Sequence, residues 1–236
     1  MTSPMTNDPS RTRKVLLPFG LAALCLALVG LSGLPAQDRA SDAPPVKVMR
    51  KALDRIVVAL HDESTTNIVK RSSVQGVVNE NLDIDIVSRL VLAKNWKKFD
   101  ETQRIEFAAS FRRHLVNTYW RNAKLATFER IDVVDDREEA RGDWTVKSMI
   151  RSESAGDVKV DYRMRRETLA NDELGEWKII DVIVEGVSLI SNFRSQFQEI
   201  VANDGPDKVL TLLRESNEKS DKTEAEEAAE AAGGNG

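Results

Sequence analysis

Asp161, Asp181 and Glu185 are the residues of this 236-residue chain whose types and spacing come nearest to a catalytic set. Asp181 and Glu185 stand four residues apart on one face of an alternating apolar stretch, and a pair of carboxylates can divide general-acid from general-base work. The structural assignment is the better one. Asp181 meets Arg163 or Arg165 across a sheet, and Glu185 sits near the start of the next helix, where negative charge is favoured. Other chemistry finds less footing. The two histidines, His61 and His114, fall far apart on helical segments without ligand spacing, and the glycines form neither a dinucleotide nor a P-loop pattern. Ser188, in EGVSLI, lacks the second glycine of a nucleophile elbow. The basic row Lys159, Arg163, Arg165 and Arg166 suits phosphate groups or an acidic surface, or is simply a solvated face. No enzymatic activity, metal or cofactor is expected.

The elements that would hold these residues begin after a leader. Arg11, Arg13 and Lys14 precede an apolar run over 15–34, followed by small residues up to Ala36, the order of a secretory signal peptide. The expected organisation is a signal peptide at 1–36, a linker at 37–45, one domain at 46–216, and an acidic, disordered tail at 217–236. An uncleaved membrane anchor is the alternative for the leader, since about twenty apolar residues can span a bilayer. Cys25 is the only cysteine, so a mature chain beginning near Gln37 has none and can use neither disulfides nor thiol chemistry. The net charge of −4 falls to about −6 without the leader, and most of it lies in 215–230, where seven acids face Lys219 and Lys222. The rest is near neutral, which argues against nucleic acid as a partner.

Helical spacing runs through 46–60, 67–79, 84–99 and 101–127, the last with Phe107, Phe111, Leu115 and Tyr119 at four-residue steps. Asp100 and Gln103 form a candidate N-cap for it. The period then changes. Segments 129–135, 142–152, 158–167 and 176–185 alternate or carry β-branched residues, with turn formers between them, which predicts an antiparallel meander. Two closing helices follow, at 187–202 and 206–215. The fold class is therefore α+β: N-terminal helices on a curved antiparallel sheet of about four strands, closed by two C-terminal helices. In the third strand Val158, Val160, Tyr162 and Met164 share one face. In the fourth, regular alternation puts Ile180, Val182 and Val184 on one face and Trp177, Ile179 and Ile183 on the other, so both faces need cover.

The stretches VDYRMRRE, GEWKIIDVIVEGVSLISNFRSQF and NDGPDKVL, with RLVLAKNWKKFDETQRIEFAASFRRHLVNTYW upstream in the same order, resemble the MlaC-type, or toluene-tolerance, periplasmic lipid carriers. The resemblance covers roughly 46–214. It implies a soluble periplasmic shuttle for phospholipid, the auxiliary component of an ABC-type lipid transport system. Its implied partners are an inner-membrane ATP-driven transporter and an outer-membrane lipoprotein–porin complex, and its role is in outer-membrane lipid asymmetry. A carrier of this kind needs an apolar slot between helices and sheet. Tyr162, Met164, Val182 and Val184 on the strands, with Leu189 and Phe193 on the helix, are the expected lipid-binding residues. Periodicity alone assigns such side chains to ordinary core.

Overall fold

The computed structural model describes residues 40–123 and 128–233. The expected leader lies outside them, and among the described residues no helix is long and apolar enough to cross a membrane. Helix α1 (Pro44–His61) starts with two prolines in its first turn. The expected linker therefore ends earlier, because a helix's first residues have no intrahelical use for the N–H that proline lacks. Helix α2 (Asn67–Asn81) is capped by Thr66, and α3 (Ile84–Leu92) by Asp83, whose carboxylate accepts from the Ile86 N–H at 2.8 Å. Left-handed Ala93 (φ 47°) ends α3, and residues Ala93–Lys98 continue as a 3-10 turn. Helix α4 (Glu101–Ala123) begins with a reciprocal cap: Asp100 accepts from the Gln103 N–H at 2.8 Å, and Gln103 accepts from the Asp100 N–H at 3.0 Å.

The second half is an antiparallel meander of β1 (Arg130–Glu138), β2 (Trp144–Arg151), β3 (Val158–Thr168) and β4 (Leu174–Val184), extended by the two-residue β5 (Val187–Ser188) in the order β1-β2-β3-β4-β5. The register corrects the expected faces of β4. Tyr162 pairs with Val182 and Met164 with Ile179, so β4 spends one residue more than β3 between those two pairs. This bulge breaks the two-residue alternation, and Ile179 and Val182 come to the same face although three positions apart. Ile180, at the bulge, is fully buried. The β3–β4 register shifts again between Arg166 and Thr168, and another irregularity interrupts β1 between Val133 and Asp135. The β4 edge is closed by β5 at Ile183 and Val184, and at Ile179 by the α2–α3 junction, where the Asp83 N–H donates to the Ile179 carbonyl at 3.0 Å.

Helices α5 (Leu189–Asp204) and α6 (Pro206–Gly233) complete the chain, with Gly205 at φ 80° between them. The acidic segment, expected to be disordered, is helical through Gly233. Alanine and glutamate favour helix, and partners come from elsewhere in the chain. Asp221 pairs with Arg113 of α4 and Glu224 with Arg71 of α2. Asn217, 4% exposed, donates to the Ser110 carbonyl at 2.9 Å and accepts from Asn117.

Two apolar clusters hold these layers together. Phe107 and Phe111 of α4 meet Phe193 and Phe197 of α5 largely edge to face, at centroid distances such as 4.9 Å for Phe111–Phe193 and 5.5 Å for Phe107–Phe197. On the other side Val46, Met49 and Leu53 of α1 pack on Val133, Val146 and Met164 of the sheet.

Candidate functional site

Between these clusters the helices do not close on the sheet. A cavity of about 250 Å³ lies there, floored by Tyr162, Ile179, Val182 and Val184 and walled by α1, α2, α4 and α5. Ala52 and Ile56, Val74 and Val78, and Leu115 and Tyr119 present the helical side, each pair at the four-residue step that puts two side chains on one helix face. The floor exists because the β4 bulge turns both Ile179 and Val182 inward. The lining residues that carry a polar side-chain group are few: Asn81, Tyr119, Trp120, Tyr162 and Asp181. Burial pushes the Tyr162 phenol up to about 12, against a hydrogen bond to Ser148, and burial takes Tyr119 to about 12 as well. Both are neutral at physiological pH, so the cavity has no charged tyrosine.

Of the six expected lining residues, Tyr162, Val182, Val184, Leu189 and Phe193 border this cavity. Met164 does not: it is fully buried in the α1–sheet cluster, paired with Trp144 of β2. Sequence reasoning missed most of the helical wall. The four-residue rhythm Phe107, Phe111, Leu115, Tyr119 contained the signal. Its first half makes core, and Phe111, Leu115 and Tyr119 border the cavity.

The carboxylates proposed as a chemical set are each held by structural contacts. Asp181, 5% exposed, accepts from the Ser188 hydroxyl at 2.7 Å and from the Ile190 N–H at 3.2 Å. Ser188 in turn accepts from the Ser191 N–H at 3.0 Å, so the two side chains cap α5 together. Asp181 therefore serves the helix N-terminus, not Arg163 or Arg165 as expected. Glu185 accepts from the Lys159 N–H at the β4–β5 turn, and Asp161 is 3.5 Å from the Lys159 ammonium.

The basic row is similarly engaged. Arg165 grips Asp143 with both arms of its guanidinium, at 2.6 and 2.7 Å, and Arg163 reaches the same carboxylate at 3.4 Å. Arg166 donates to the Leu174 and Gly175 carbonyls. Among the histidines, His61 bonds the Phe128 carbonyl at 3.0 Å, whereas His114 is buried beside Ser216 and the Phe193 ring, and burial lowers it to about 4.

A second, polar groove of about 600 Å³ lies between α2, α4 and α6, lined among others by Arg71, Arg112, Arg113, Asp221 and Glu224. Val116 of α4 borders both the groove and the apolar cavity.

Comparison with known proteins bears on this geometry. The family described as "MlaC protein" matches residues 50–215. Among solved structures, a phospholipid-binding protein from Ralstonia solanacearum, determined in complex with a phospholipid, superimposes with a TM-score of 0.63 at 18% identity, covering 75% of this chain and 99% of that one.

Proposed function

The chain belongs to the MlaC protein family, and from that premise we propose that it binds phospholipid and carries it through the periplasm. The observation that carries the proposal is the apolar cavity between helices and sheet, with an almost wholly hydrocarbon lining. The similar Ralstonia solanacearum protein, with its phospholipid, supports it. The acyl chains occupy the slot bordered by Tyr162, Val182, Val184, Leu189 and Phe193. Met164 serves the core beside it.

Physical chemistry sets the task. Each methylene moved from hydrocarbon to water costs about 0.8 kcal/mol, so exposing two sixteen-carbon chains costs roughly 25 kcal/mol. The slot has to match a bilayer as solvent and no more, because a deeper well would prevent release. No bond is made or broken. At about 250 Å³ the cavity is below the roughly 300–1,000 Å³ typical of small-molecule sites, so a two-chain lipid must part the helices from the sheet as it enters. The lipid then passes between an outer-membrane lipoprotein–porin complex and an inner-membrane ABC-type transporter, whose ATP hydrolysis gives the exchange its direction.

The test is native mass spectrometry of the chain isolated after leader removal. One phospholipid per chain is expected. A chain that is lipid-free and takes none from vesicles overturns the proposal, and full-length protein found only in membranes favours an anchored adaptor of the same fold.

A further inference from the structure

The groove on the outer side of α2 and α4 joins two features that the apolar slot does not explain. Arg71 and Arg113 stand close enough to act on each other electrostatically, and Arg71 is largely buried, with 18% of its side chain exposed. Its outer nitrogens bond Glu224 and Asn117, while its Nε is buried without a hydrogen-bond partner. The acids on this pair come from α6, at Asp221 and Glu224, beyond residue 215 where the family match ends. The cations outnumber the acids among the groove's lining, since Arg112 joins them.

The groove is also next to the slot. Val116 borders both, and Trp120 borders the slot together with a smaller polar recess shared by Arg71 and Glu224. A phosphate diester offers a guanidinium the same forked pair of oxygens as a carboxylate. In a phospholipid that diester is covalently tied to the acyl chains.

We propose that Arg71 and Arg113 form a phosphate-binding site adjoining the slot, and that Asp221 and Glu224 of α6 are built-in competitors for it. The proposal rests on the carrier reading and adds a control to it. The α6 acids hold α2 and α4 together at the groove, and an incoming lipid exchanges its phosphate for their carboxylates. Binding is then weakened by the fraction of molecules in which α6 holds the site.

A purely mechanical brace and a competitor for phosphate predict different signs. If α6 only braced the helices, Arg71→Gln and the double variant Asp221→Asn/Glu224→Gln would loosen the same contact and shift uptake alike. As a competitor, the double variant frees the site and Arg71→Gln destroys it. The probes are short-chain phosphatidylglycerol, diacylglycerol with the same chains, and inorganic phosphate, with helix content followed by circular dichroism. The double variant is expected to tighten phosphatidylglycerol roughly two- to fivefold, the range that part-exposed ion pairs supply. Arg71→Gln should weaken it by a similar factor, and both should leave diacylglycerol unchanged. Arg71→Lys keeps the charge without the fork, falls between wild type and Arg71→Gln, and serves if the glutamine variant misfolds. Shifts of one sign in both variants, or equal shifts for diacylglycerol, overturn the phosphate site. Inorganic phosphate bound by the double variant without displacing phosphatidylglycerol assigns the site to free phosphate and overturns the lipid claim. A wild type that binds neither lipid removes the carrier reading, and this inference with it.

Discussion

His114, 4% exposed between α4, α5 and α6, shows how burial sets the behaviour of a single residue. Burial lowers it from 6.5 to about 4, so the fold holds the neutral ring. Its contribution to stability is fully present above the unfolded value of 6.5, because neither state is then protonated. As pH falls from 6.5 towards 4 the unfolded chain takes up a proton that the folded one refuses, and stability declines. At about 1.4 kcal/mol per unit, the loss is roughly 2 to 3 kcal/mol. Urea denaturation at a series of pH values is expected to show this slope in the wild type and not in His114→Gln. An equal slope in both would assign the acid sensitivity elsewhere. Partners at this scale were the least legible part of the sequence. Arg163 and Arg165 bind Asp143, some twenty residues back, instead of Asp181. Arg163 does stand opposite Asp181 in the β3–β4 register, but that carboxylate is taken by the Ser188 hydroxyl and the Ile190 N–H, a competition that residue types do not encode singly.

Among the elements, the junction of β4 and α5 is the most constrained. Glu185 and Gly186 both have positive φ, 49° and 81°, and the tight turn they make lets Ser188 and Asp181 meet the first turn of α5. A Cβ on Gly186 would touch nothing within 4 Å, so the cost of a side chain there is backbone strain and not collision. Gly186→Val is expected to lower stability by roughly 1 to 3 kcal/mol. An unchanged denaturation midpoint would show that the turn tolerates the residue. Most elements were legible because their periods are strong, as in α4 with its aromatic step and in the four main strands. The β4 bulge was not, since two-residue alternation read through Ile180 assigns Ile179 and Val182 to opposite faces. The helical end of α6 was hidden for another reason. An alanine- and glutamate-rich sequence reads as solvated until Arg71 and Arg113, more than a hundred residues earlier, are brought beside it.

For the molecule as a whole, slot and core respond differently to added volume, and the two strand residues Val182 and Met164 separate them. Val182 faces the cavity, so Val182→Trp is expected to displace phospholipid at little cost in melting temperature. Met164 is enclosed by the α1–sheet cluster. There Met164→Trp overpacks, at roughly 1 to 3 kcal/mol, and the fraction that remains folded keeps its lipid. Measuring bound phospholipid and melting temperature on both variants checks the assignment, and lipid retained at the wild-type level by Val182→Trp would remove Val182 from the slot. The slot's existence was legible only through resemblance, because periodicity describes a side chain facing cargo and one facing core in the same way. The closed sheet edge has a consequence of its own. A sheet's free edge can recruit a strand from another molecule. Here β5 and the Asp83 N–H cover one flank, while β1 on the other is interrupted near Val134 and studded with Asp132, Asp135, Asp136 and Arg137. Neither flank offers a long, flat, uncharged ladder on which the strand of another molecule could pair.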